Sequence, residues 1–174
     1  MEDQKSTIKS TILQYGILLG VISVTFNLML YFLDMHYTQE RSVGIISFII
    51  LIAVVSLAQY NFRKENEGFL SLSEGLKIGL GASLIAGLIG IAYQFILVTI
   101  IDPDTISKIL EIGQNKILDS NPEMSQEQLD QIMSMQRKFT TPGMMAAFGI
   151  IFSLFFGFIV SLISGLILKR SRPE

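Results

Sequence analysis

The stretch Met144-Met145-Ala146-Ala147-Phe148-Gly149-Ile150-Ile151-Phe152-Ser153-Leu154-Phe155-Phe156-Gly157-Phe158-Ile159-Val160-Ser161-Leu162-Ile163-Ser164-Gly165-Leu166-Ile167-Leu168 contains no charged residue and no proline. An α-helix needs about 20 such residues to cross a hydrocarbon core roughly 30 Å thick. Lipid offers the backbone no hydrogen-bond partners, so a spanning segment must satisfy its amides internally, as a helix does. Three more stretches are equally apolar through their central portions: Leu13–Leu33, Val43–Tyr60 and Leu76–Ile101, the last with Lys77 at its start. The reading is an all-α chain, a four-helix transmembrane bundle with the lipid bilayer as its first partner. Residues 1–174 form a single integral membrane domain, with a short helical insert over 102–142 between the third and fourth spans.

Composition narrows the chemistry. The chain has 174 residues, a formal charge of -2, no cysteine and one histidine, His36. Disulfides, thiolate nucleophiles, thiolate metal sites and multi-histidine sites are excluded, and no nucleic-acid partner is indicated. No cofactor or metal is implied. The run after Lys5 and Lys9 is longer than a signal-peptide core and lacks a small-x-small cleavage site at Asp34-Met35-His36, so it reads as an uncleaved signal anchor.

Loop charges set the expected orientation. With a cytoplasmic amino terminus, Lys5, Lys9, Arg63, Lys64, Lys77, Lys169, Arg170 and Arg172 fall inside, against Arg41, Lys108, Lys116, Arg137 and Lys138 outside. The positive-inside rule then places both termini in the cytoplasm and the insert outside it. Tyr31, Phe32, Tyr37, Tyr60, Phe62 and Phe69 read as interfacial anchors, and Gln59 and Asn61 are expected in the headgroup region.

Gly149, Ser153, Gly157, Ser161 and Gly165 recur every fourth position, which makes one helix face a strip of minimal side chains. Gly75, Gly79, Ser83 and Gly87 form a second strip, and Gly16 and Gly20 contribute to the first span. Small faces let helix backbones approach where no hydrophobic effect drives association. The matching series predict that the third and fourth spans pair within one chain; a homodimer seam is the functional alternative. Asn27 and Gln94 are amides well within their helices and are expected to bond across helices or contact a substrate, with Tyr93 beside Gln94. No ionisable residue sits near a span centre, which argues against a proton relay.

Ser71 and Glu74 match a Ser-x-x-Glu capping box that starts the third helix. In the insert, Ile106, Ile109, Leu110, Ile117 and Leu118 follow helical spacing, interrupted by Gly113. Asn121-Pro122 breaks the pattern, and Ser125 with Gln128 opens a second helix whose face carries Leu129, Ile132, Met133, Gln136 and Phe139. Lying on the membrane, capping the bundle and docking a partner are the placements open to these amphipathic pieces. Asp102 and Asp104 around Pro103 read as a solvated helix start, and Met124, Met133, Met135, Met144 and Met145 as apolar filling.

The runs Tyr31-Phe32-Leu33-Asp34, Gly68-Phe69-Leu70-Ser71-Leu72-Ser73-Glu74-Gly75-Leu76-Lys77-Ile78-Gly79 and Pro142-Gly143-Met144-Met145, in that order, resemble an uncharacterised bacterial membrane family, a domain-of-unknown-function family. The resemblance implies a small four-span protein of the bacterial inner membrane and supplies no activity, ligand or catalytic residue. The leading functional expectation is a non-enzymatic envelope scaffold or regulator that binds an envelope protein partner through the insert. The alternative is a small transporter or channel subunit, in dimeric form or alone, with a polar path at Asn27, Tyr93 and Gln94.

Overall fold

A computed structural model describes residues 2–37 and 40–172, with side chains from Ile8 onward at the amino-terminal end. Lys5, one of the charges used for orientation, has its side chain outside the described residues. Among the described residues six α-helices follow one another: α1 Glu2–Phe32, α2 Arg41–Glu65, α3 Leu72–Ile96, α4 Thr105–Ser120, α5 Gln126–Phe139 and α6 Pro142–Leu168. A π-helical turn, Leu97–Ile101, continues α3. Among the described residues, four helices are long and apolar enough to cross a membrane, namely Ile8–Phe32, Arg41–Glu65, Leu72–Ile101 and Pro142–Leu168. The chain is a multi-pass membrane protein, with α4 and α5 between its third and fourth spans.

Hydropathy underestimates the helices at their ends. The second span reads as a short return over 43–60, yet α2 has 25 residues, as α3 does. Its surplus is Arg41 and Ser42 at the start and Asn61 to Glu65 at the end, polar residues apart from the buried Phe62, and polar side chains cost little in helical form once they clear the hydrocarbon. The start of α3 at Leu72 is fixed by the capping box. Ser71 Oγ accepts from Glu74 N at 3.2 Å, and Glu74 Oε2 accepts from Ser71 N at 2.7 Å. Thr141 caps α6 in a similar way, with Pro142 in its first turn, where the missing N–H is no loss.

The third helix is the axis of the bundle, with α1 on one side and α6 on another, while α2 closes against all three. Parallel α1 and α3 interlock in a constant register: Ile12 seats on Gly81, Ile85 on Gly16 and Ile89 on Gly20. A Cβ added to Gly16 would lie 2.7 Å from Ile85 Cβ, inside van der Waals contact. Antiparallel α3 and α6 meet along the two small strips, with Gly75 facing Gly165, Gly79 facing Ser161, Ser83 facing Gly157 and Gly87 facing Ser153. Ser153 Oγ donates to the Ser83 carbonyl at 2.6 Å, a bond possible only because the backbones are this close. The strip on α6 is therefore filled by the chain's own α3.

The buried cluster of Tyr15, Leu19, Val54, Ala58, Phe62, Leu70, Ile78, Ala82 and Ala86 lies toward the end of the bundle that holds both termini. There the chain after α6 is strapped to the α2–α3 turn. Leu70 N donates to Arg170 O at 3.1 Å, and Arg170 N donates to Leu70 O at 2.9 Å. The turn reverses through Glu67 and Gly68, both at positive φ, and Arg170 and Arg172 place their guanidiniums over the Phe69 ring.

Candidate functional site

Three polar constellations interrupt this apolar framework. The first is a clamp inside the bundle. Gln59 is fully buried, and its amide nitrogen donates to Gly75 O and to Ser161 O, both at 3.0 Å. One side chain of α2 thus ties α3 to α6. This corrects its expected place among the headgroups: Gly75 and Gly165 leave room beside the amide, so the long side chain turns inward rather than outward. Asn61, one half-turn on, donates to the Tyr15 hydroxyl and joins α2 to α1.

The second lies at the opposite end from the termini, where the α1–α2 connection meets the start of α4. The π turn ends with Asp102 N donating to Leu97 O at 2.8 Å. The Tyr37 hydroxyl donates to Asp102 Oδ2, His36 Nε2 lies 3.4 Å from the same oxygen, and Lys108 Nζ lies 3.5 Å from it. Lys108 also donates to the Tyr37 oxygen at 2.6 Å, so the phenol accepts from the lysine and donates to the carboxylate. Tyr31 and Tyr37 flank the imidazole, with ring centroids 5.0 and 3.7 Å away.

This is not the solvated helix start that the sequence suggests, because Asp102 is 13% exposed and the His36 side chain 4%. Tyr37 chiefly, with His36 and Lys108, holds the Asp102 carboxyl down to about 2 from 3.8, against burial, which pushes it up. The Tyr37 hydroxyl is raised, chiefly by its bond to Asp102, and Lys108 is raised chiefly by its bond to Tyr37. Each group keeps the protonation state that holds the others. Chemically this is a tie: its carboxylate, phenol and ammonium are bonded to one another.

Above the tie, α4 and α5 fold into a hairpin. Leu129 and Met133 are buried within it, and Gly113 of α4 leaves the space that the Gln136 amide fills. The α5 face read as one apolar stripe is split in two. Ile132, Met135 and Phe139 remain exposed at 40%, 61% and 48%, lying one helical turn apart on a separate face. Phe139 meets Phe148 at 5.9 Å, the first rung of a ring series continuing through Phe152 and Phe156 on α6.

The third constellation is a cleft of about 340 Å³ between α3 and α6, lined by Gly87, Ile91, Gln94, Val98, Met145 and Gly149, among others. It forms because the paired helices splay. At Gly87 an added Cβ would lie 2.8 Å from Ser153 Oγ, but at Gly149 the nearest neighbour would be Ile91 Cγ1 at 3.7 Å. Gln94 reaches this cleft. Asn27 instead lies on an exposed face of α1 and donates to Ser23 O of its own helix at 2.8 Å, so the structure does not bring the two amides together. Tyr93 is partly buried, and its hydroxyl has no hydrogen-bond partner.

The small strips are legible in the sequence, whereas the Gln59 clamp and the Asp102 tie are not. Gln59 is visible in the sequence only as a polar residue one turn before the polar end of α2, which points as readily to the headgroups as to the interior. The tie is not visible, because Tyr37 and Asp102 are 65 residues apart and no local pattern joins them. Among the described residues, no group of three or more His, Cys, Asp and Glu side chains is arranged to hold a metal ion. A family model described as protein of unknown function (DUF4199) matches residues 14–170. No curated protein and no solved structure matches the chain.

Proposed function

The chain belongs to the DUF4199 family, and on that footing we propose a non-enzymatic role: a fixed platform, presented by the α4–α5 hairpin, on which a partner protein of the bacterial cell envelope docks. In this reading the protein sits in the inner membrane with both termini in the cytoplasm and the hairpin on the other side, supported by the excess of Lys and Arg at the terminal end. The observation that carries the proposal is the combination of tether and uncovered face. The tie at Asp102 fixes the root of the hairpin, while Ile132, Met135 and Phe139 stay exposed beyond the spans. A fixed apolar face loses less entropy on binding than a mobile one, which favours docking.

Photo-crosslinking in cells from Gln131, beside that face, tests the reading. A heterologous protein adduct that disappears in the Ile132→Glu variant is expected. Adducts only with lipid or with the protein itself, or adducts indifferent to Ile132→Glu, would defeat it.

A further inference from the structure

Among the described residues, two glycines that line the cleft between α3 and α6, Gly90 and Gly149, are not explained by packing. Along the seam, Gly79, Gly87 and Gly157 are each required by a neighbour that a Cβ would strike. At Gly90 an added Cβ would meet nothing within 4 Å, and at Gly149 only an ordinary contact. These two glycines hold open about 340 Å³ that the fold does not need, at the small end of the range for ligand sites. The mouth faces the membrane, since Phe95 at its rim is 58% exposed on a spanning helix.

One polar side chain lines the cleft, that of Gln94, partly buried and without a hydrogen bond to any other described residue. An amide left unpaired in an apolar medium costs about 1–3 kcal/mol by mutational measures, so a lipid group that accepts from it is favoured. Its depth identifies what would satisfy it. Gln94 lies about 11 Å from the middle of the Leu72–Ile101 span at 1.5 Å per residue, hence about 4 Å inside the edge of a hydrocarbon core roughly 30 Å thick. A glutamine amide at that depth lies within side-chain reach of the level of glycerolipid ester carbonyls, which accept hydrogen bonds and do not donate them.

We propose that this cleft is a lipid site: one acyl chain of a bilayer glycerolipid lies between α3 and α6, and its ester carbonyl accepts a hydrogen bond from the Gln94 amide. The occupant is a diester lipid rather than a partner helix, because a cleft this small admits a hydrocarbon chain but not a helix about 10 Å across. The π turn at Leu97–Ile101 carries Val98 onto the cleft wall and Asp102 into the tie, so the site and the hairpin root share one element.

Native mass spectrometry of the detergent-solubilised protein, titrated with dioleoyl phosphatidylglycerol or with its diether analogue lacking the carbonyls, tests the proposal. The wild type should retain one diester lipid per chain, on the order of fivefold more tightly than the diether, as one hydrogen bond of about 1 kcal/mol requires. Gln94→Leu should bring the diester down to the diether level. Gly149→Leu should abolish retention of both while leaving the unfolding midpoint near that of wild type. If Gly149→Leu fails to fold, Gly90→Leu blocks the same space. Equal retention of diester and diether by the wild type would overturn the hydrogen bond to the ester. Unchanged retention in a folded cleft-filling variant would overturn the site, with the lipid then merely annular.

Discussion

Asp102 shows how much a single residue can hold when its partners arrive from distant parts of the chain. Its carboxyl is lowered from 3.8 to about 2, so the carboxylate stabilises the folded tie fully above pH about 4 and ceases to do so as pH falls toward 2. Tyr37 and Lys108 are raised from 10.0 and 10.5, so their share is complete below those values and is lost only as pH climbs through the raised ones. The protection of α4 amides, taken relative to their intrinsic exchange rates at each pH, should therefore be flat across neutral pH and fall below about pH 4. Loss of protection beginning near pH 6 would contradict the assignment. Tyr37→Phe removes the bond that chiefly lowers Asp102 and should raise its titration toward 3.8, measurable by carboxyl NMR. Gln59 makes a separate prediction. Gln59→Leu keeps the shape, deletes two interhelical bonds and should cost about 1 kcal/mol in thermal unfolding, a modest sum because the buried Oε1 that it also removes has no partner. Sequence alone marks both residues as polar near a membrane and cannot give their direction, since inward and outward turns of Gln59 read identically.

At the scale of elements, the small-residue strips were the most legible feature. Their period of four fixes one face per helix, and the two series meet in antiparallel register from Gly75 and Gly165 to Gly87 and Ser153. The α1–α3 contact was only half legible, because Gly16 and Gly20 were visible as holes but Ile85 and Ile89 look like any lipid-facing isoleucine. Two substitutions on α6 should behave oppositely. At Gly157 the Ser83 side chain occupies the space that a Cβ would take, so Gly157→Ile should lower the unfolding midpoint of the detergent-solubilised protein sharply; overpacking of this kind costs about 1–3 kcal/mol or more. Gly149 has no such neighbour, and Gly149→Leu should leave the midpoint nearly unchanged. Equal effects at the two positions would mean that the helices do not splay toward the hairpin end. Helix ends were the least legible, since hydropathy stops where polar residues begin and the backbone helix does not.

For the whole molecule, the four spans make a bundle closed differently at its two ends. The terminal end is closed by the strap between Leu70 and Arg170, the other by the tie that roots the hairpin. Composition and hydropathy sufficed for the number of spans and for the existence of the insert, but not for its attachment, which depends on contacts between loops far apart in sequence. The central claim is that this attachment makes the hairpin a fixed platform. The chain has no cysteine, so spin labels can be placed at Gln131→Cys on α5 and Ile45→Cys on α2 without background, and the distance between them measured by double electron–electron resonance in bilayers. The account predicts one narrow distance distribution that broadens when Asp102→Ala removes the tie; a distribution already broad in the otherwise wild-type protein, or one that Asp102→Ala leaves unchanged, would contradict it.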